Sequence, residues 1–242
     1  IGFSLLFLMG MLDDKFNLNS KIKFLTQIIS CSLFMLLSGY DISFSFLFAD
    51  NPILSSFLTL LFMLSVINAF NLIDGLDGLA SGIALISLVS ISLVLNNLVA
   101  GCLIYIIIGS LFAFLIKNTY PAKIFLGDSG SYILGYSISI FIILIANQSG
   151  FDNWSLSYLL ILTGIPAIDI IYAFSRRIFT GKSIFSADRK HIHHLILDIG
   201  ISHKNSVLFL YLIHSLLCIV GLALIGFKID LSIIFFIIFS GC

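Results

Sequence analysis

The 242-residue chain is 60% hydrophobic and 10% charged, with a mean hydropathy of +1.16. Ordinary soluble domains are about 45–50% apolar and about 25% charged, so a soluble domain is excluded and an all-α, polytopic transmembrane bundle is expected. Twelve Lys and Arg balance twelve acidic residues, all of them Asp, and this zero net charge argues against nucleic acid as a partner.

Apolar runs of the kind that cross a bilayer, for which about 17–25 residues are needed, can be drawn as Ile22–Leu37, Ile53–Ala69, Ser81–Leu95, Leu98–Ile116, Tyr132–Ala146, Ser155–Phe174 and Ser206–Ile225. Ile1–Leu12 reads as the end of a further span and Leu231–Gly241 as the start of another, which makes about nine. The chain begins inside an apolar run, so further spans are expected to precede it, and residues 1–242 read as a single integral-membrane domain. Nine spans put alternate loops on opposite sides. Lys15, Lys21, Lys23, Lys117, Lys123, Arg176, Arg177, Lys182, Arg189, Lys190 and Lys204 then share one side, and Lys228 alone falls on the other. Cytoplasmic loops collect Lys and Arg, so the first side is expected to be the cytoplasm.

The candidate reactive groups gather on that side. Asp13-Asp14 follows a span and precedes Lys15, Lys21 and Lys23; such a pair can hold a divalent cation or share a proton, although an acidic helix cap with basic flanks has the same composition. Asn68, Asn71, Asp74 and Asp77 follow one another in steps of three, so adjacent pairs share a helical face while all four do not. A helix cap requires one such side chain, and Gly75 and Gly78 let a bulky ligand approach the backbone. Asp128, in Gly127-Asp-Ser-Gly130, suits either a cap before the next span or a hard oxygen ligand for Mg²⁺.

Further along, His191 and His194 lie three apart, with Arg189 and Lys190 just before them. No Cys lies nearby to complete a zinc site, and Arg and Lys beside His suit a phosphate or diphosphate, although a basic juxtamembrane stretch paired with anionic lipid headgroups has the same composition. Asp169, in an apolar run after Pro166, is either a functional acid or the partner of a neighbouring helix. His203 and His214 read as unrelated to this cluster, His214 as a hydrogen-bonded core residue. Cys31, Cys102, Cys218 and Cys242 lack metal or disulfide spacing and read as small core residues.

Taken together, Asp13-Asp14 after a span, Asn-x-x-Asn-x-x-Asp-Gly-x-Asp-Gly at 68–78, Phe-Leu-Gly-Asp-Ser-Gly at 125–130 and Asp-Arg-Lys-His-Ile-His-His at 188–194 resemble the polyprenyl-phosphate N-acetylhexosamine-1-phosphate transferases. The His-Ile-His-His reading is closer to the branch that joins N-acetylglucosamine-1-phosphate to undecaprenyl phosphate than to the muramoyl-pentapeptide branch. The likeness covers almost the whole chain, in the right order. It implies transfer of a sugar-1-phosphate from a UDP-sugar to a polyprenyl phosphate, with Mg²⁺ or Mn²⁺ as cofactor and UMP as product. That would be the first step of a cell-envelope polysaccharide, carried out in the bacterial inner membrane with the active site facing the cytoplasm.

By the same resemblance, Asp13, Asp14, Asp77 and Asp128 form the catalytic set, Asp13 and Asp14 orienting or deprotonating the lipid phosphate. Asp128 and Asn71 would hold the metal. Lys23, Asn68, Asn71 and Asp74 would meet nucleotide and phosphate, while Arg189, His191, His193 and His194 would meet the diphosphate. Membrane lipid surrounds such an enzyme, and a homodimer is compatible with it. Full members have ten or eleven spans, so this chain departs from them at its start and near its end. A cation- or proton-coupled transporter would instead place charges near mid-membrane, where only Asp169 speaks for it. An intramembrane aspartyl protease needs Gly-x-Gly-Asp, and Phe125 stands where the first Gly is required.

Overall fold

The computed structural model describes residues 1–42, 51–148, 162–179 and 191–227, and the described residues form nine helices and no strand. In chain order these are α1 (Gly2–Phe16), α2 (Ser20–Ser38), α3 (Pro52–Ile73), α4 (Leu79–Ser92), α5 (Leu98–Asn118), α6 (Gly127–Ala146), α7 (Gly164–Phe179), α8 (Ile192–Asp198) and α9 (His203–Phe227). Helices α2, α3, α5, α6 and α9 are long and apolar enough to cross a membrane. Their starts follow local chemistry. Asn19, Asn51 and Asn97 each turn a side-chain oxygen onto a backbone N–H of the first turn of α2, α3 and α5, and Pro52 opens α3 where its missing N–H costs nothing.

Helix α4 is different. At 14 residues it is about 21 Å long, less than the roughly 30 Å of a bilayer's hydrocarbon core. It is buried on most of its faces among α5, α6 and α9, through Leu79, Ile83, Leu88 and Ile91. Outward faces such as Leu36, Ile53, Leu98 and Phe112 are exposed, as expected of surfaces covered by lipid rather than water. The run Ser155–Phe174 lies partly, and Leu231–Gly241 wholly, outside the described residues.

Two packing relationships position the site. Helix α6 packs against α3 and α1 around Leu6, Met9, Met63, Ile67 and Tyr136. Gly10 of α1 lies directly against the backbone of Ser129, where any Cβ would collide, so the Asp13-Asp14 end of α1 meets the first turn of α6. The helices also run further than their apolar stretches. Asn71 belongs to the last turn of α3, two residues past the expected run Ile53–Ala69, and Asp128 lies in the first turn of α6, four residues ahead of the apolar run expected from Tyr132. Hydrophobicity marks where a helix crosses lipid; its hydrogen-bond ladder continues into the polar ends.

Candidate active site

The turn between α1 and α2 is built on Asp13. Asn17 adopts a left-handed conformation (φ 50°), which Asn tolerates, and Leu18 N then donates to Asp13 Oδ1 at 2.7 Å. The other oxygen, Oδ2, receives Lys23 Nζ at 2.6 Å from the first turns of α2. Asp13 is 4% exposed, so its charge needs that partner. The same ammonium reaches Asp128 Oδ2 at 3.4 Å, joining α2 to α6.

Asp128 is the most connected acid. Its Oδ1 accepts from Asn71 Nδ2 at 2.9 Å, and its Oδ2 accepts from Tyr132 OH, one turn along α6, at 3.0 Å. Asn71 also donates to Ser131 Oγ at 3.0 Å, so it orients the acid's helical turn as well as the acid. Asp14 takes a different position. Its carboxylate accepts from Asp128 N at 2.8 Å and from Ser129 Oγ at 3.1 Å, capping α6 from a neighbouring helix. Asp13, Asp14, Asn17, Leu18, Lys23 and Asp128 line a pocket of about 270 Å³.

The other predicted residues surround this pocket unequally. Asp74, at the C-terminus of α3, is pushed up to about 7 by burial and by the charges of Asp128 and Asp14, so it belongs to the same electrostatic cluster. Asn68 faces elsewhere: it exchanges amide hydrogen bonds with Gln27 of α2 and donates to Leu64 O at 2.7 Å. Asp77 does not join the pocket's hydrogen bonds. Its Oδ2 accepts from Ala122 N at 3.0 Å in the segment before α6, and its own N–H donates to His203 Nε2 at 3.0 Å.

His203, expected to be unrelated, is therefore a support of the Asp77 turn. It acts with Tyr211, whose hydroxyl donates to Gly78 O at 2.5 Å. No sequence signal marks either, because both arrive from α9 through tertiary packing. Tyr132 had one: it is four residues from Asp128, visible once the helix is started at Gly127. His214 is a buried core histidine hydrogen-bonded to Ser87 Oγ at 2.8 Å, as expected.

The histidines form a second group. His191 Nδ1 lies 2.8 Å from Asp169 Oδ2, which gives the intramembrane-type acid a partner beyond the end of its own helix. The His193 ring lies parallel to that of His191 with centroids 6.0 Å apart, and 4.2 Å from the ring of His194. It rests against Gly75, where a Cβ would enter the ring. Burial and the neighbouring His194 push His193 down to about 4, so it is neutral at pH 7. Both its nitrogens are buried without a hydrogen-bond partner among the described residues, which leaves polar groups for a ligand. Arg189 lies outside the described residues.

The pocket's donors are hard carboxylate oxygens on Asp13, Asp14 and Asp128, the type Mg²⁺ takes. Among the described residues no three His, Cys or Asp side chains make a closed metal cage. Mg²⁺ does not require such a cage, because it is commonly bound by one or two carboxylates with water and phosphate oxygens completing its shell.

Residues 1–146 match the family model described as glycosyl transferase family 4. The chain is 37% identical, over 99% of its own length and 68% of the relative's, to a Bacillus subtilis (strain 168) protein named probable undecaprenyl-phosphate N-acetylglucosaminyl 1-phosphate transferase. It is 33% identical to the decaprenyl-phosphate N-acetylglucosaminephosphotransferase of Mycobacterium leprae (strain TN), over 84% of this chain and 58% of that one. To the undecaprenyl-phosphate alpha-N-acetylglucosaminyl 1-phosphate transferase of Escherichia coli (strain K12) it is 30% identical, over 88% and 61%. The chain thus spans between 58% and 68% of the length of these curated relatives.

Proposed function

The chain belongs to glycosyl transferase family 4, a family of transferases, and from that premise we propose that it transfers N-acetylglucosamine-1-phosphate from the UDP-sugar to undecaprenyl phosphate in a bacterial plasma membrane. The reading is supported most by one observation: Lys23 bridges Asp13 and Asp128 in a pocket at the meeting of α1, α2 and α6. The relatives' names support undecaprenyl phosphate as the acceptor and N-acetylglucosamine 1-phosphate as the group transferred, and the UDP donor is part of the proposal. Membership in a transferase family sets aside the transporter alternative, whose only support, Asp169, is paired with His191.

In this reading an oxygen of the lipid phosphate bonds to the sugar-bearing phosphorus of the diphosphate. The bond from that phosphorus to the bridging oxygen breaks, and UMP leaves with the bridging oxygen and its electron pair. Two anions must be brought together, so the pocket needs fixed cations and oriented donors. Lys23 supplies a cation held in place by Asp13. Asp14 ties the first turn of α6 to α1 and so fixes where Asp128 points. Asn71 and Tyr132 hold the two oxygens of Asp128. Asp128, with Asn71 beside it, would hold Mg²⁺, which when bound neutralises phosphate charge. The His run, whose His193 ring rests against Gly75, is assigned to the donor's diphosphate.

The full-length protein incubated with undecaprenyl phosphate and a panel of UDP-sugars should release UMP with UDP-N-acetylglucosamine and lose that activity in EDTA. Release of free UDP, or no reaction with any donor, overturns the assignment. The nine-span arrangement and the cytoplasmic pocket are part of the same proposal. A single Cys introduced at Asp128 in a Cys-free background should be protected from an impermeant reagent added outside whole cells, while one at Asn97 reacts. Labelling of position 128 from outside reverses the topology.

A further inference from the structure

Asp169 lies apart from the Lys23 pocket, and the reaction described above gives it no part. It is 1% exposed in α7, and its two oxygens take neighbouring donors from one short stretch of chain. Oδ2 pairs with His191 Nδ1 at 2.8 Å, and Oδ1 accepts from Ile192 N at 2.8 Å. The first contact fixes a ring; the second fixes the backbone that carries it, at the entry to α8. A carboxylate accepts only, so the hydrogen between Asp169 and His191 belongs to Nδ1. Beyond His191 the parallel His193 ring presses on Gly75, inside the Asn/Asp run.

We propose that Asp169 is a positioning residue for the sugar-nucleotide side of the site: it locks His191 in the Nδ1–H tautomer with Nε2 as the ligand-facing nitrogen, and steadies the His191–His193 pair against Gly75. The inference rests on the reading of the His run as a contact to the donor's diphosphate. Its logic is that of an outer carboxylate that sets the tautomer and angle of a ligand-binding imidazole. Asp169→Asn tests it because the amide keeps an oxygen for Ile192 N while turning an NH₂ toward His191. Nδ1 must then accept, and the ring proton moves to Nε2.

The measurement is made on full-length protein in nanodiscs, with ¹⁵N- and ¹³C-labelled histidine and with separate KM values for UDP-N-acetylglucosamine and undecaprenyl phosphate. In the parent, His191 should report the Nδ1–H tautomer, and in Asp169→Asn the Nε2–H tautomer. The donor KM should rise about ten-fold, the size of effect typical of a lost orienting contact, while the lipid KM stays unchanged. His191→Gln should raise the donor KM similarly, and the double variant should be no worse than either single one. An Nε2–H tautomer in the parent overturns the proposal even if Asp169→Asn fails to fold. So does a donor KM that is unchanged in Asp169→Asn but raised in His191→Gln, or single effects that multiply in the double variant. If His191→Gln leaves the donor KM unchanged, the diphosphate reading of the His run fails, and the tautomer spectra still decide whether Asp169 sets the ring.

Discussion

Lys23 Nζ lies 2.6 Å from Asp13 Oδ2 across the turn that joins α1 to α2, and Asp13 is almost wholly buried there. Removing the ammonium leaves that carboxylate next to Asp128 with no cation between them. Breaking a buried pair costs about 3–5 kcal/mol, and because the Lys23 side chain is 26% exposed a loss nearer about 1–2 kcal/mol is expected for Lys23→Met. The double variant Asp13→Asn/Lys23→Met should lose less stability than the sum of the single ones, with a coupling of about 1 kcal/mol. Thermal melting of all four proteins checks this, and strict additivity would mean that the pair is not formed.

Asp74 carries a pH dependence of definite sign. Its carboxyl is pushed from 3.8 to about 7 by burial and by Asp128 and Asp14, so between these values the folded state binds a proton that the unfolded chain does not. Stability from this group is full below pH 4 and is lost as pH rises through about 7. Asp74→Asn removes the penalty. In EDTA its melting temperature should exceed the parent's at pH 8, with the gap closing toward pH 4; a gap that widens on acidification contradicts the assignment.

Gly75 and His193 are matched in shape. The Cβ of Gly75→Ala enters the His193 ring, and overpacking of this kind costs about 1–3 kcal/mol. His193→Ala opens the space, so the double variant Gly75→Ala/His193→Ala should regain much of the stability lost in Gly75→Ala, as read by melting. Equal losses in the single and double variants would show that the ring does not rest there.

Much of this arrangement was legible because it is local. The expected run Leu98–Ile116 starts with helix α5 and ends two residues short of its end, and the run Ile53–Ala69 starts one residue inside α3. The order of the Asp motifs also led to the residues that share the Lys23 pocket. The steps of three already kept the four Asn and Asp side chains off one face, and Asn68 shows how. A step of three residues falls about 60° short of a full helical turn, so Asn71 meets Asp128 while Asn68 rotates toward Gln27. Asp77 likewise turned out to serve the segment before α6 rather than the pocket, and its support from His203 depends on where α9 docks, a relationship 126 residues away in the chain. Asp169 reads in the sequence as either a functional acid or the partner of a neighbouring helix. Its partner became visible once α7 and α8 were set side by side.

The most direct test is UMP release from UDP-N-acetylglucosamine and undecaprenyl phosphate by full-length Asp128→Asn, compared with the parent and with Cys102→Ala. The amide keeps the shape of Asp128 but removes the anion that Lys23, Asn71 and Tyr132 surround, and with it the strongest candidate for holding Mg²⁺. Losing an electrostatic contact made at the transition state costs about 10²–10³ in rate, and a lost metal at least that. Asp128→Asn should fall by that factor at limiting Mg²⁺, while Cys102→Ala, exposed on α5 away from the pocket, keeps the parent rate. A parent-level rate in Asp128→Asn at limiting Mg²⁺ would remove Asp128 from the chemistry and contradict the account built on the Lys23 pocket.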